Sequence, residues 1–552
     1  MSTPTKVYDL YASILNFKES ITTLNAPFVT LGWVPLSHQR RLQAYEILSA
    51  YYCNYSRDYR QSPESGDTSY NDLIAEMGDS AWLCDKLRTK LLGDTVSISI
   101  PGPKSLKVLR RLRKNPAGRE AELAELEKIE AARLAMEDHI QDWWDENDIY
   151  LTVNKNETKC SYLGDCVYAV GWNAEEARPT LETYDPGFVF PEWDLDAAAS
   201  MDESASDKVS RRVIIAWEDA HEATDQSYNI WRDIYELRTV AGKKKCFRHY
   251  GWYEWQASSD RKVYDMNDDD IIEGTSTGWH EIGLDFIPIV WVPNIECEGE
   301  DYGKSNINDF ISLFDSIITN YTDLKFNSEK LGGAIIALSG KNIKFAVDSS
   351  TREPIGVEVK PNTIYNLGEN GKMDLLNTAE LQTALLSTIE KLEKKLIRNS
   401  CITEVGAGLA DTQQELAGIA LKMLLLPLIE RIGPVRQQRQ SRYAQVFWMV
   451  MRYWQIFGTP EERKIFAGPL YNVQMNFGSL LPGDRKAQIE EYAQMANLFG
   501  LETTLEIARD DGYDLDIDAI MEAKENERQQ RIEETQAQFQ LMREEDSTGV
   551  TE

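Results

Sequence analysis

DTQQELAGIALKMLLLPLIERIGPVRQQRQSRYAQVFWMVMRYWQIFG, residues 411 to 458, is a long helical pattern with two interruptions. Pro427 removes a backbone donor inside an apolar run, and Gly433 with Pro434 breaks the pattern again. We expect a helix that bends at these places rather than stops. Thr412 and Glu415 predict a capping box at its start. A bent helix of this length is an architectural part, which directs the search away from enzymes.

Upstream of this helix, two helical patterns enclose a small module with a strand-like sequence pattern. The first pattern follows Ser305, a candidate N-cap, and the second has heptad-like spacing. Between them, AIIALSG, KFAVD, IGVEVK and TIYNLG predict short strands joined by turns. The apolar positions of the two helices are Ile307, Phe310, Ile311, Phe314, Ile317, Ile318, Tyr321 and Leu324, and then Leu381, Leu385, Ile389, Leu392 and Leu396. The pattern is that of a helical stalk that carries a tip.

The N-terminal half mixes helices and strands. Helical patterns cover residues 36 to 92 and 120 to 147. In the second, Leu123, Leu126, Ile129, Ala132, Met136, Ile140 and Trp143 share one face, which predicts core or subunit contact. From 147 to 300 the segments IYLTV, DCVYAVGW, RRVIIAWED, YELRTV, HYGWYEW and FIPIVWVP predict strands. The fold class is therefore α+β.

The composition excludes several classes of protein. The chain has 552 residues, 42% hydrophobic residues and a formal net charge of −31, so most of it should fold, yet it lacks a general basic surface for gripping nucleic acid. Seven cysteines without a C-x-x-C pair indicate reduced thiols. The N-terminus does not resemble a signal peptide, and no apolar run approaches the roughly 18 residues of a membrane span.

One basic cluster stands out in this acidic chain. It lies in KSLKVLRRLRKNP and consists of Lys104, Lys107, Arg110, Arg111, Arg113 and Lys114. A solvated face or a salt-bridged contact with a neighbour is a better interpretation than nucleic-acid binding.

The segments that resemble motifs for catalysis or metal binding lack the residues or the spacing that these motifs require. GEDYGKS, from Gly299 to Ser305, has a P-loop context, but three residues separate its glycines where the P-loop motif has four, and two acids stand where phosphate would bind. Cys160 and Cys166 have no second pair for zinc. The acidic run at 265 to 270 lacks the glycine and the closing glutamate of a calcium loop. We predict no catalytic residue, no metal site and no cofactor.

Three stretches, in order, resemble the portal proteins of tailed double-stranded DNA bacteriophages. IPIVWVPNIECEGEDYGKSNINDFISLFDSIITNYTDL is similar to the strand and G-x-S-D-I-x-x-x-x-x-L-x-D-A motif before the first stem helix, although Asn308 stands near the usual acid. IEKLEKKLIRNSCITEVGAGLADTQQELAGIALKMLLLPL is similar to the second stem helix, tunnel loop and kinked helix, with Ala417 in place of serine. VQMNFGSLLPGDRKAQIEEYAQMANLFGLETTLEIARDDGYD is like the return strand and crown, and TYDPGFVFPEWD more loosely like a wing segment.

The resemblance implies a portal fold with seven segments, assembled as a ring. These are a wing at 1–302 that includes the helical tract 105–147, stem helix 1 at 303–330, a small α/β clip at 331–380, stem helix 2 at 381–400, a tunnel loop at 401–415, the kinked helix and return of the wing at 416–483, and the helical crown and tail at 484–552. The tunnel-loop residues are Thr403, Glu404, Gly406, Gly408 and Asp411, and the kink residues are Pro427, Gly433 and Pro434.

The implied function is passage of double-stranded DNA through a ring, typically a dodecamer, at one capsid vertex of a virion assembled in the host cytoplasm. The implied partners are further copies of the chain, the terminase large subunit, head-completion or adaptor proteins, and the major capsid and scaffolding proteins, with no membrane. Lys391, Lys394, Lys395 and Arg398 are candidates for positive rings along the channel. Pairing with Glu390, Glu393 or a neighbouring subunit is the alternative role for these cations. A nucleotide-binding enzyme using Gly299 to Ser305, or another minor capsid or adaptor protein, is the alternative function.

Overall fold

The computed structural model describes residues 11, 32–56, 74–93, 96–102, 108–109, 112–113, 118–193, 210–219, 227–256, 261–266, 271–331, 335–339, 372–376, 379–408, 418–478, 492–498, 500–510, 517, 520–521 and 523–532. They form a mixed helix and sheet fold, which confirms the predicted α+β class.

The principal α-helices of the described residues are α1 (Leu36–Tyr52), α2 (Asp79–Leu92), α3 (Glu120–Glu146), α4 (Ile149–Leu163), α5 (Ile311–Leu331), α6 (Ala379–Asn399), α7 (Glu404–Ala407), α8 (Gly418–Phe457), α9 (Pro460–Ile465) and α10 (Leu501–Asp510). Short 3₁₀ turns cover Pro186–Phe188 and Asn308–Phe310.

The strands are β1 (Ser97–Ser99), β2 (Asp165–Asn173), β3 (Arg178–Tyr184), β4 (Val189–Trp193), β5 (Ser210–Asp219), β6 (Ser227–Val240), β7 (Lys243–Gln256), β8 (His280–Glu281), β9 (Ile289–Pro293), β10 (Ile335–Ser339), β11 (Lys372–Leu376) and β12 (Gln474–Asn476). They form sheets of order β4-β5-β6-β7-β8 and β3-β2-β9 and the pairs β10-β11 and β1-β12. The pairs β1-β12, β10-β11, β2-β9, β4-β5, β5-β6, β6-β7 and β7-β8 are antiparallel.

The chain divides into two compact units. The first is Met1–Arg88, Thr152–Gly171 and Leu181–Arg431, and the second is Thr89–Leu151, Trp172–Thr180 and Ile432–Glu552. Helix α8 begins in the first unit and ends in the second.

The main core of the first unit lies on one face of the five-stranded sheet. Ile214 is paired with Ile234 and Ile230 with Tyr253, and all four side chains are almost completely buried. Strand β7 shows the period of two that a strand imposes, because the buried Tyr253 and Trp255 alternate with the exposed Glu254 and Gln256. Trp33 joins this core by packing edge-on against Phe190, with 5.9 Å between the ring centroids.

In the second unit, helix α3 buries Leu126, Met136, Ile140 and Trp143, which confirms most of its predicted apolar face. Ala132 is an exception, because it is exposed while the neighbouring Arg133 is buried. The Arg133 guanidinium donates to Glu130 at 2.9 Å and also bonds Glu137 and the carbonyl of Ile100. The buried position is therefore taken by a paired arginine next to the alanine that the apolar pattern had assigned to the buried face.

The prediction of a strand at IYLTV is wrong, because these residues begin helix α4. Ile149, Val153, Cys160 and Leu163 are buried at steps of four, seven and three, whereas Leu151 is 51% exposed. Packing of one helical face has overridden the strand preference of the β-branched side chains.

Of the predicted tip, the structure describes one strand near its start and one near its end. AIIALSG is confirmed as a strand, β10, and its partner is β11, which the sequence analysis did not predict. KFAVD, IGVEVK and TIYNLG lie outside the described residues, as do the Thr412 and Glu415 capping box and five members of the basic cluster. The sixth, Arg113, approaches Glu127 at 3.4 Å, which fits the salt-bridged interpretation of that cluster.

Helix α5, for which Ser305 was the candidate N-cap, begins later than predicted. Ser305 accepts from the backbone of Ile307 at 3.0 Å and donates to the carbonyl of Tyr162 at 2.6 Å. It therefore ties the loop to α4 and does not cap α5, which follows the 3₁₀ turn and begins at Ile311.

Candidate functional site

Helices α5 and α6 contact each other and carry the β10-β11 pair between them. Ile317 on α5 and Ile389 and Leu396 on α6 are buried. The hydroxyl of Tyr321 on α5 donates to Glu393 on α6 at 2.7 Å. Helix, strand pair and helix thus form the stalk and tip that the sequence predicted, and we call α5, β10, β11 and α6 the helical hairpin.

The four candidate channel cations lie on one exposed face of α6. Lys391, Lys394, Lys395 and Arg398 are exposed, and their spacing of three, one and three residues places them on one side of a helix. The buried Ile389 and Leu396 lie on the other side. Among the described residues, no ion pair involves any of the four cations.

A small acidic cluster lies on the other side of the same helix. Burial, and then the charge of Glu393, raises the pKa of Asp79 to about 6. Burial, followed by the hydrogen bond to Glu393, raises the pKa of Tyr321 to about 12. Glu393 therefore faces Tyr321 and Asp79, which argues against the alternative that it neutralises the lysines of α6.

The residues predicted as a tunnel loop contain one helical turn. Thr403 caps α7 by accepting from the backbone of Gly406 at 3.1 Å, and Gly408 ends it with φ +80°. Gly406 is buried, and a Cβ added to it would lie 3.4 Å from the side chain of Leu428. Gly408 therefore needs the backbone freedom of glycine, whereas Gly406 does not. Asp411 lies outside the described residues.

Helix α8 runs without interruption through both predicted breaks. Pro427, Gly433 and Pro434 all lie on its exposed side. A proline leaves the carbonyl four residues earlier without its helical donor. The carbonyls concerned belong to Met423 and Glu430, which are exposed and can bond water. The expectation that the helix continues past these residues is confirmed.

The loop before α5 is fixed by a buried polar cluster that the sequence analysis missed. The carboxylate of Asp165 accepts from Gly303 N at 2.7 Å, from Trp291 Nε1 at 2.8 Å and from Tyr45 Oη at 2.6 Å. Burial raises the pKa of Asp165 to about 6 although these three bonds lower it. No short motif marks such a residue, because its partners lie up to 138 residues away in the chain.

Arg41 completes this cluster. Its buried guanidinium donates to the carbonyl of Val189 at 3.0 Å and lies 4.8 Å from the ring centroid of Tyr302. It also donates to Nδ1 of His38 at 3.1 Å, so Nε2 of His38 carries the proton and faces Tyr264 Oη at 2.6 Å. Burial, and then Arg41, lowers the pKa of His38 to about 2. The imidazole is therefore neutral at physiological pH.

The same contacts weigh against a nucleotide site at Gly299 to Ser305. The backbone of Gly303 donates to Asp165, and Nζ of Lys304 pairs with Asp309 at 2.7 Å. The two groups that would grip phosphate in a P-loop are thus engaged within the chain.

The described residues contain no helix that is both long and apolar enough to cross a membrane. Within the same residues, no cluster of three or more potential metal ligands occurs.

Along the chain, a hairpin of two helices that encloses two strands is followed by a capped turn and a 40-residue helix. The family described as "Phage portal protein, SPP1 Gp6-like" matches residues 119–530, about three quarters of the chain. The chain belongs to this family of phage portal proteins, whose members are structural rather than enzymatic. A comparison with individual curated proteins finds no significant match.

Proposed function

We propose that copies of this chain form a ring at one capsid vertex, and that double-stranded DNA enters and leaves the capsid through its central channel. The observation that carries the proposal is the exposed cationic face of α6 on the helical hairpin, in a chain that belongs to the portal family. The ring, typically a dodecamer, would be built from heterologous contacts that close on rotation.

The charge distribution suits a channel that passes DNA without holding it. A chain with a net charge of −31 repels phosphate over most of its surface, which limits the adhesion that clustered cations would create. One stripe of Lys391, Lys394, Lys395 and Arg398 per subunit would then give narrow bands of attraction. DNA would be guided at these bands and would slide elsewhere.

Within this proposal, residues 303–330, with most of α5, and 381–400, with most of α6, are the stem. Residues 331–380 are the clip, 401–415 the tunnel loop, 416–483 the kinked helix with the return of the wing, and 484–552 the crown and tail. Residues 1–302 form most of the wing. The clip would dock the terminase large subunit during packaging and a head-completion or adaptor protein afterwards. The major capsid and scaffolding proteins would surround the wing in the virion, which assembles in the host cytoplasm.

Negative-stain imaging and native mass spectrometry of the purified protein test the proposal. A turbine-shaped ring with a central hole is expected, and twelve copies is the expected number. A monomer or small oligomer that binds nucleotide would contradict the proposal and favour an enzyme. A ring of six found only within tails would favour an adaptor protein.

A further inference from the structure

Arg431 lies on α8, between Pro427 on one side and Gly433 with Pro434 on the other. Its guanidinium donates to the carbonyl of Ser400, just past the end of α6, at 2.9 Å. It also donates to Oδ1 of Asn306, which precedes α5, at 3.4 Å, and lies 6.0 Å from the ring centroid of Phe310. One side chain thus joins the long helix to the base of both helices of the hairpin.

The partners of Arg431 are themselves fixed in the first unit. Ser400 is fully buried, and its backbone N–H donates to Leu396 at 2.9 Å. The side chain of Asn306 donates to Ser161 Oγ at 2.9 Å, which in turn donates to the carbonyl of Cys84 at 3.1 Å. Arg431 therefore binds to a rigid platform and not to a loose loop.

The hydrogen bonds of Arg431 offset only part of the cost of burying its charge. The side chain is partly buried, and its acceptors include a carbonyl, an amide oxygen and the side chain of Cys401; burial lowers its pKa, whereas Cys401 and then Asp309 raise it. Asp309 is itself paired with Lys304. The partial negative charge at the C-terminus of α6 favours a guanidinium there, but neutral acceptors offset only part of the cost of removing a full charge from water. Release of the side chain to water is therefore not prohibitive.

The backbone of α8 on either side of Arg431 also lowers the cost of releasing this side chain. Pro427 and Pro434 each remove a hydrogen bond from α8, one on either side of Arg431. The turn that carries Arg431 can therefore change its direction at lower cost than an unbroken helix could.

We propose that Arg431 is a releasable latch that couples the direction of α8 to the base of the helical hairpin. In the structure the latch is closed. This inference rests on the proposed function, since the coupling would link movement of the long helix to the stem helices during DNA passage. The latch itself is a property of the subunit and can be measured without DNA.

Hydrogen–deuterium exchange of the assembled protein tests the latch. In Arg431→Gln, amides of residues 396–402 and 306–310 should exchange at least about tenfold faster, because a charged hydrogen bond at each site is lost. Arg431→Lys keeps the charge and one donor and should restore protection at 396–402. Unchanged exchange at both segments in Arg431→Gln would overturn the proposal.

Arg436→Gln is the matched control. Arg436 also lies on α8, binds the carbonyls of Lys90, Leu91 and Gly478 at 2.8 to 3.0 Å, and has its pKa lowered to about 10 by burial. Its loss should leave residues 396–402 and 306–310 protected. Equal loss of protection there in both variants would show general destabilisation and would also overturn the latch.

Packaging assays separate the latch from the channel proposal. Rings of Arg431→Gln should have normal stoichiometry and package less DNA than rings of Arg436→Gln. If the wild-type protein forms no ring, the proposed function fails, whereas the exchange experiment still decides the latch. If rings form and both variants package equal amounts of DNA, the coupling to DNA passage is wrong.

Discussion

The backbone N–H of Gly303 donates to Oδ1 of Asp165 at 2.7 Å, which joins the loop before α5 to the start of strand β2. Gly303 also packs so closely on Gly164 that a Cβ on either residue would collide with the backbone of the other. Helix α5 therefore leaves the β-rich part of its unit at one fixed point.

Replacement of Asp165 by Asn should lower the free energy of unfolding by about 2–4 kcal/mol, because the amide cannot accept all three hydrogen bonds and removes an anion near the buried Arg41. Denaturant unfolding at equal protomer concentration measures this. Asp142→Asn, at an exposed position on α3, is the control and should have almost no effect. Equal stability of Asp165→Asn and wild type would refute the structural role of this cluster.

Replacement of Asp79 by Asn should stabilise the protein at pH 7 to 8. Its pKa rises from 3.8 to about 6 on folding, so the stability that protonation contributes is present below pH 3.8 and is lost as the pH rises through 6. The neutral amide should therefore raise the free energy of unfolding above pH 6 by about 1–2 kcal/mol. Thermal unfolding between pH 4 and 8 checks this, and a difference that does not depend on pH would count against it.

Exchange of Lys394 and Lys395 for glutamate should reduce retention of packaged DNA, because two exposed cations that have no ion-pair partner among the described residues become anions. Quantification of DNA in finished particles measures the effect. The control exchanges Lys243 and Lys244, which are exposed on strand β7, for glutamate and should leave retention unchanged. Full retention of DNA by the Lys394→Glu, Lys395→Glu double variant would show that α6 does not line the channel.

Alanine should be tolerated at Gly406 but not at Gly408. Gly406 has ordinary space for a Cβ, whereas Gly408 has φ +80°, where alanine costs about 1 kcal/mol. Proline at both positions should impair packaging while rings remain intact, since it also removes the Gly406 donor to Thr403. Thermal unfolding and packaged DNA length test the two statements. An equal cost of alanine at both sites, or normal packaging by the proline variant, would contradict them.

Replacement of Pro427 by Ala should straighten α8 and strain ring closure, because alanine restores the donor that the carbonyl of Met423 lacks. Native mass spectrometry should detect altered ring stoichiometry. Met423→Ala, at an exposed position one turn earlier, is the control and should leave the ring unchanged. Identical stoichiometry in the Pro427 and Met423 variants would exclude Pro427 as a determinant of ring geometry.

Regular elements were predictable wherever one face is apolar over several turns. The hairpin helices and α3 have such faces, because burial of a stripe at helical spacing dominates local preferences. IYLTV was too short for its period to be recognised, so its β-branched residues indicated a strand that packing turned into a helix. The strand at Lys372–Leu376 was missed because its pairing with β10 is a long-range contact.

The sequence by itself determined the order of the elements, the continuity of α8 through its prolines and the family, because these depend on local spacing and on motifs in series. Only the tertiary structure decided which polar groups stabilise the fold. Arg41 and Asp165 are buried, and Arg431 is partly buried, by residues far away in the chain, and burial converts an ordinary charge into a fixed contact. Desolvation and hydrogen-bond geometry exist only once the chain has folded, so no pattern of neighbours along the sequence can predict them.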